Sequence, residues 1–331
     1  MANTTSKLQV IYGDWSLGVK GENFHYMFSY TTAGLDSLRS DGKEWLYRTP
    51  KPTFWRALTD NDRGNQFHLR SGMWLSADVF IKNTGCAVSV DGEEIAVAGA
   101  PDNNARGQEE YADTVSLQYH YETITVPSTD VYVTYTVSAG GKIRVDMEYK
   151  GKKGLPELPV FGLRFIMPTM AEGYRYEGLS GETYPDRKAG GEPGIYEVEG
   201  LPVTPYMLPQ ECGMHVDTKW VEIDRMTELD NRKKKWKKTT LRIEAVEEPG
   251  ENSDNAGFAF SCLPYTAEEL ENATHHEELP PGRRTVLCVC GAVRGVGGID
   301  SWGADVEEEY RISGEEDIRF AFQVRPVKVK E

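Results

Sequence analysis

The 331-residue sequence contains no apolar run approaching the roughly 18 residues that a membrane-spanning helix needs. Its opening stretch, MANTTSKLQVIYGD, lacks the long apolar core of a secretory signal, so neither secretion nor a membrane anchor is expected. Positive charge is scarce: 37 Lys and Arg stand against 52 Asp and Glu, a formal net charge of −15. Nucleic-acid backbones and anionic membrane surfaces would repel such a chain, and neither is expected as a partner. Cysteine is limited to Cys86, Cys212, Cys262, Cys288 and Cys290. This odd, scattered set reads as reduced buried thiols rather than a disulfide framework, and a cytoplasmic location is the expectation.

Signatures of cofactor and nucleophile chemistry are missing too. The stretch RGVGGIDSWGADV, residues 294 to 306, is rich in glycine, yet no lysine follows as a phosphate-binding loop requires. A dinucleotide fingerprint would need glycine where Asp300 stands, after Gly295 and Gly297, and a βαβ unit around it. No G-x-S-x-G elbow occurs. Cys288-x-Cys290 and His275-His276 lack zinc-site spacing, and His215 has no motif around it, which makes it a structural histidine. No metal or cofactor is expected in this chain.

What is present is a strong period of two. Phe24, Tyr26, Phe28 and Tyr30 alternate with other residues, as do Val131, Val133, Tyr135 and Val137. Ile143, Val145, Met147 and Tyr149 repeat the pattern, and so do Ile318, Phe320, Phe322 and Val324. Short β-branched and aromatic runs bounded by turn residues predict antiparallel strands. The fold class is all-β, a large antiparallel β-sandwich over 1–331 as a single domain, with one or two short helices. One helix is expected in TAEELENATHH, where Thr266 and Glu269 can form a capping box. A second turn of helix is expected within residues 69 to 78, and the basic run 230 to 238 reads as a solvated hairpin tip.

The carboxylates Asp60, Asp62, Glu182, Asp186 and Asp300 are candidates for a glycoside-hydrolysing pair, which needs two carboxyl groups about 5 Å apart. TDND (59 to 62) reads as a hydrogen-bonded turn and GLSGETYPDR (178 to 187) as a turn-rich loop. The glycine-rich loop is either flexible or tightly turned, and it presents Asp300, Ser301 and Trp302. Trp302 can stack on the apolar face of a sugar or fill a core beneath the loop, and residue chemistry alone leaves both open.

KPTFWRALTDNDRGN (51 to 65), GLSGETYPDR, LPQECGMH (208 to 215), LPYTAEELENATHHEEL (263 to 279) and RGVGGIDSWGADV occur in this order. The series resembles the C-terminal domain of the bacterial β-galactosidases of glycoside hydrolase family 2, above all the separate small chain of the two-chain lactobacillal type. The resemblance covers essentially the whole sequence. It implies a galactose-mutarotase-like supersandwich and a catalytic TIM barrel on a partner, the β-galactosidase large subunit. That subunit would carry both catalytic glutamates together with Mg2+ and Na+. No catalytic residue falls to this chain, and no βαβα alternation is available from which to build a barrel.

By the same resemblance Trp302 contacts the sugar, with Asp300 and Ser301 as weaker substrate-binding candidates. Asp60, Asn61, Asp62, Arg63, Tyr184, Asp186 and Arg187 become loop-organising or interface groups. Ile299 stands where many relatives have an acidic residue, and Leu58 where many have proline. The implied activity is hydrolysis of terminal β-galactosides such as lactose by a heterodimer. The alternatives are a stand-alone carbohydrate-binding module or lectin, and a self-sufficient hydrolase.

Overall fold

Alternation of apolar and polar side chains sets the largest sheet. Val115, Leu117, Tyr119 and Tyr121 are buried in the strand Thr114–Glu122, and Val131, Val133, Tyr135 and Val137 in Asp130–Ser138. Ile143, Val145, Met147 and Tyr149 follow in Lys142–Tyr149. Successive side chains leave a strand on opposite faces, so one face of these strands is apolar throughout. The register pairs Leu117 with Tyr135 and Tyr135 with Val145, which sets the inward residues side by side.

The structure, a computed structural model, describes residues 7–97, 110–229, 237–246, 257–300 and 303–327. Among the described residues there are three antiparallel sheets of ten, six and five strands. The ten-stranded sheet runs Pro193–Glu199, Gly173–Leu179, Trp220–Arg225, Thr239–Ala245, Ile318–Val327, Lys142–Tyr149, Asp130–Ser138, Thr114–Glu122, Lys82–Val90 and Glu93–Ile95 from edge to edge. The six-stranded sheet runs Lys43–Glu44, Gly34–Ser40, Phe24–Ser29, Ser16–Lys20, Leu8–Tyr12 and Glu110–Ala112. In the five-stranded sheet the order is Met214–Thr218, Phe258–Leu263, Thr285–Val293, Val160–Met167 and Arg48–Thr53.

Both smaller sheets pack on the apolar face of the largest. From the six-stranded sheet, Phe28 lies 5.7 Å from Tyr135 between ring centroids, and Tyr26 donates its hydroxyl to the Gly141 carbonyl at 2.6 Å. From the five-stranded sheet, Phe165 meets Phe322 at 6.2 Å, Phe161 meets Tyr149 at 5.7 Å and Phe260 meets Tyr176 at 5.5 Å. The expected antiparallel sandwich is what these contacts build.

The five-stranded sheet is covered on its second face as well. Phe258–Leu263 is buried at every residue, and Val160–Met167 at every residue except Arg164. Short helices and loops supply that cover: α1 (Asp60–Gly64), α2 (Phe67–Ser71) and α3 (Ala267–Asn272). Leu270 of α3 packs with Leu263, Ala57 and Cys212 in a small separate core.

α3 has the expected capping box. Glu269 N donates to Thr266 Oγ1 at 3.2 Å and Thr266 N to Glu269 Oε2 at 2.8 Å. The second helical turn lies earlier than expected: α2 begins at Phe67, and a 3-10 turn, Gly72–Trp74, ends before residue 78. TDND is not a simple turn but the start of α1. Thr59 and Asp62 bond reciprocally, at 3.2 and 2.9 Å, with aspartate doing what glutamate usually does in a capping box. Among the described residues three short α-helices therefore stand where one or two were expected. All five cysteines are free thiols, with Cys212, Cys262 and Cys290 buried. Most of the basic run, 230 to 236, lies outside the described residues.

Phe322, fully buried between two layers, gives a direct test of the sandwich. Phe322→Ala is expected to cost about 3–5 kcal/mol, read as a lower denaturant midpoint. An unchanged midpoint would mean that the two sheets do not depend on this contact.

Candidate functional site

Segments far apart in sequence meet beside the five-stranded sheet: 56–63, 184–187, and 294–300 with 303–305. Asp62, in the first turn of α1, is fully buried. Its carboxylate accepts from Arg56 Nη1 at 2.7 Å and Nη2 at 3.3 Å, from Arg294 Nη1 at 3.1 Å, and from Thr59 N and Oγ1 at 2.9 and 3.0 Å. Burial alone would raise the Asp62 pKa. Arg56, the Thr59 N–H and Arg294 overcome it and hold the carboxyl below its usual range.

The two arginines carry the network to the glycine-rich loop. Arg56 Nη2 donates to the Gly295 carbonyl at 3.0 Å. Arg294 donates to Asp305 at 2.6 Å, across the base of the loop, and its guanidinium lies 4.0 Å over the Phe67 ring of α2. Both are buried, a costly placement for a charge unless it is paired.

From the other side, Asp186 accepts from Val296 N at 3.0 Å and Gly297 N at 2.7 Å. Arg187 donates to the Gly297 carbonyl, and Asn61 Nδ2 donates to the Val296 carbonyl at 3.1 Å. Gly295 has no room for a side chain, since a Cβ there would lie 2.7 Å from Asp186 Cγ. Gly298 has φ of +85°, in the left-handed region, and a Cβ would lie 2.9 Å from Asn61 Nδ2. Of the two alternatives for these glycines, the structure has the tightly turned one.

Asp300 accepts from Ala304 N at 3.0 Å, joining the two arms of the loop. Ser301 and Trp302, between them, lie outside the described residues. Asp60 accepts from Tyr206 Oη at 2.8 Å, and Arg63 reaches Glu271 of α3 at 3.4 Å. Buried Tyr184 donates to Glu211 at 3.4 Å and sits in an apolar cluster on which Val296 rests. Thus Asn61, Asp62, Asp186 and Arg187 gather at the loop or its arginines, while Asp60, Arg63 and Tyr184 make their hydrogen bonds to neighbouring segments.

Arg56, Arg294, Asp305 and Glu211 were missed as site residues. The available signal was an arginine inside each of two motifs, FWRALTDND and RGVGG, beside apolar neighbours and a potential acidic partner. Buried Glu211 has its pKa pushed up to about 8. Burial is the main cause, Arg56 offsets it in part, and Glu182 and Asp62 add to the rise. His215 is structural in its surroundings: buried, 3.1 Å from Tyr174 Oη, stacked at 4.8 Å on Phe260, with its pKa lowered to about 4 by burial. Leu58 N donates to Glu271 Oε2 at 2.8 Å, a bond that proline at this position would lack. Among the described residues no group of three His, Cys, Asp or Glu is placed to hold a metal ion, and no helix is long and apolar enough to cross a membrane.

Residues 20–324 match the family model described as beta galactosidase small chain. The chain belongs to the β-galactosidase small-chain family. It is 59% identical to a β-galactosidase small subunit of Latilactobacillus sakei over 98% of this chain and 99% of that one. β-Galactosidases of Halalkalibacterium halodurans and Streptococcus thermophilus are 34% and 31% identical over 98% and 97% of this small chain, which spans only 29% and 28% of their lengths. Among solved structures, a galactose mutarotase-like protein from Lactobacillus casei aligns over 94% of the small chain and all of its own, at 10% identity and a TM-score of 0.39. So distant a likeness carries no inference.

Removing the Asp62 charge tests the network. Asp62→Asn leaves two buried arginines short of their shared partner and is expected to cost about 3–5 kcal/mol in denaturant unfolding. A loss below 1 kcal/mol, on the order of a surface pair, would contradict this. Glu211 adds a pH signature. Its pKa is higher folded than unfolded, so its contribution is full below the ordinary value of 4.5 and is lost as pH rises toward about 8. In thermal melts Glu211→Gln is expected to flatten the fall in stability across that window, and an unchanged pH profile would show that Glu211 does not titrate there.

Proposed function

We propose that this chain is the non-catalytic but required subunit of a two-chain β-galactosidase, completing the mouth of an active site that the large subunit carries. Under this reading the TIM-barrel large subunit supplies both glutamates of a retaining hydrolysis, and Mg2+ and Na+ belong to it. The substrate is a terminal β-galactoside such as lactose, and Trp302 stacks on the sugar at the aglycone side. Closing that side excludes water and fixes the scissile bond against the glutamates, and both raise the rate.

One observation carries the reading beyond family membership. The carboxylates this chain offers are engaged in structure: Asp62 is enclosed by five donors, Asp186 is taken up by loop N–H groups, and Asp60 and Asp300 are bonded to Tyr206 and Ala304. Glu182 accepts from Thr204. A group so committed is a poor nucleophile or proton donor, which weighs against a self-sufficient hydrolase. What the network does instead is hold the backbone on both sides of residues 301 and 302. A loop fixed in this way, by carboxylates already taken up in hydrogen bonds, suits a chain that presents a side chain to a site elsewhere.

The isolated chain is expected not to hydrolyse a chromogenic β-galactoside, and adding the large subunit of the Latilactobacillus sakei enzyme should give activity. Full activity of that large subunit alone would overturn the proposal. Calorimetric titration of the lone chain with galactosides should show little binding; tight binding would favour the carbohydrate-binding module. Trp302→Ala should leave assembly intact and lower kcat/KM roughly three- to tenfold, the worth of a lost aromatic stacking contact of about 0.5–1.5 kcal/mol. Unchanged kinetics would return Trp302 to a structural role.

A further inference from the structure

Large apolar side chains are exposed on the loop itself and on the segments bonded to it or to its neighbouring helices. Leu69 is 71% exposed, Val79 58% and Phe80 62%, all within the segment that begins with α2. Met207 is 77% exposed and Ile299, in the loop itself, 63%. Single exposed apolar residues are ordinary, but a group of this size around one feature marks a surface meant to be covered.

These residues belong to one continuous end of the molecule, tied together by bonds between their segments. Arg70 of α2 donates to Asp305 at the base of the loop at 2.8 Å. Asp78 is bonded to Arg164, which reaches Glu268 of α3 at 3.1 Å. Tyr206 bonds Asp60 of α1, and its carbonyl meets His276 Nε2 at 2.6 Å. The apolar tips are thus set among paired polar groups, the arrangement of an interface with a dry centre and a polar rim.

We infer that the rim formed by Leu69, Val79 and Phe80 on one flank and Met207 and Ile299 on the other is the surface on which the catalytic large chain docks. The inference rests on the function proposed above and adds to it the place of contact. The occupant follows from two observations. The longer relatives carry, in one polypeptide, a segment similar to this chain plus more than twice its length, since the match spans only 29% and 28% of them. The segments that carry these residues are also bonded to the loop or to α1 beside it, through Arg70 to Asp305 and Tyr206 to Asp60, and under the proposed function that loop meets the large chain's active site. A second exposed apolar group, Trp15 with Ile11 and Met27, lies on the six-stranded sheet, where Ile11 and Met27 flank Gly18 in register. It lies on a different sheet from the one whose strand leads into the loop and serves as the control.

The test titrates the full chain into the Latilactobacillus sakei large subunit and follows β-galactosidase activity and binding by sedimentation. Phe80→Asp and Met207→Asp should each raise the concentration giving half-maximal activity on the order of tenfold or more, the loss typical of a central interface residue. The plateau at saturation should match wild type, because neither side chain touches substrate, and Met27→Asp should titrate like wild type. Near-UV circular dichroism and Tm of the free variants should be unchanged, since the side chains are exposed. Superimposed wild-type and Phe80→Asp curves would overturn the docking surface while leaving the proposed function standing, and so would an equal shift for Met27→Asp. A wild-type chain that neither binds nor activates the large subunit would overturn both. Self-association of the chain, abolished by Phe80→Asp without change in large-subunit binding, would assign the rim to a second copy and also overturn the inference.

Discussion

The candidate site depends on one buried carboxylate shared by two buried arginines. Asp62 is fixed by the α1 capping box, so its position is set by local sequence before any long-range contact forms. Arg56 and Arg294 then have a place to put their charge, and through them the 294–298 backbone is anchored to α1 and, over Phe67, to α2. Such a triad is not a cheap source of stability. Two arginines and an aspartate lose more hydration on burial than a simple apolar cluster would, and replacing such groups with hydrocarbon is often neutral or better. Their value lies in direction: a guanidinium fork and a carboxylate accept few geometries, so the loop has one.

The sandwich beneath supplies a rigid mount. The five-stranded sheet is buried on both faces, with the large sheet below it and the helices and loops above, so the strand ends that emit the Arg56 and Arg294 segments have little freedom. Asp186 enters from a third direction and caps the N–H groups of Val296 and Gly297, as a carboxylate does in a backbone nest. The result is a tightly bonded 294–298 backbone leading to exposed Ile299, with Asp62 and Asp186 taken up in holding it. This is the division of labour expected when one polypeptide does the chemistry and another shapes its access.

Much of this was legible in the sequence, for identifiable reasons. The strands were, because inward and outward faces alternate and the large sheet has one apolar face; Val131 to Val137 is an example. α3 was, because Thr266 and Glu269 spell the usual capping box. α1 was not, because Asp62 replaces glutamate at the third position and TDND has the composition of a turn. The residues at the site could be gathered from motif order, yet which of them touch could not. Arg56 and Arg294 are separated by more than two hundred positions, and a lone arginine in a motif reads as solvated until the fold buries it. The elevated pKa of Glu211 was beyond reach for the same reason, since it arises from enclosure rather than from neighbours in sequence.

The central claim is that the clamp on the 294–298 backbone serves catalysis carried out by another chain. Asp186→Ala tests it most directly, since it frees the Val296 and Gly297 N–H groups while sparing the Asp62 triad. In the complex reassembled with a saturating amount of this chain, the account predicts kcat/KM lowered about tenfold or more by the displaced loop. Wild-type kcat/KM at saturation would contradict it.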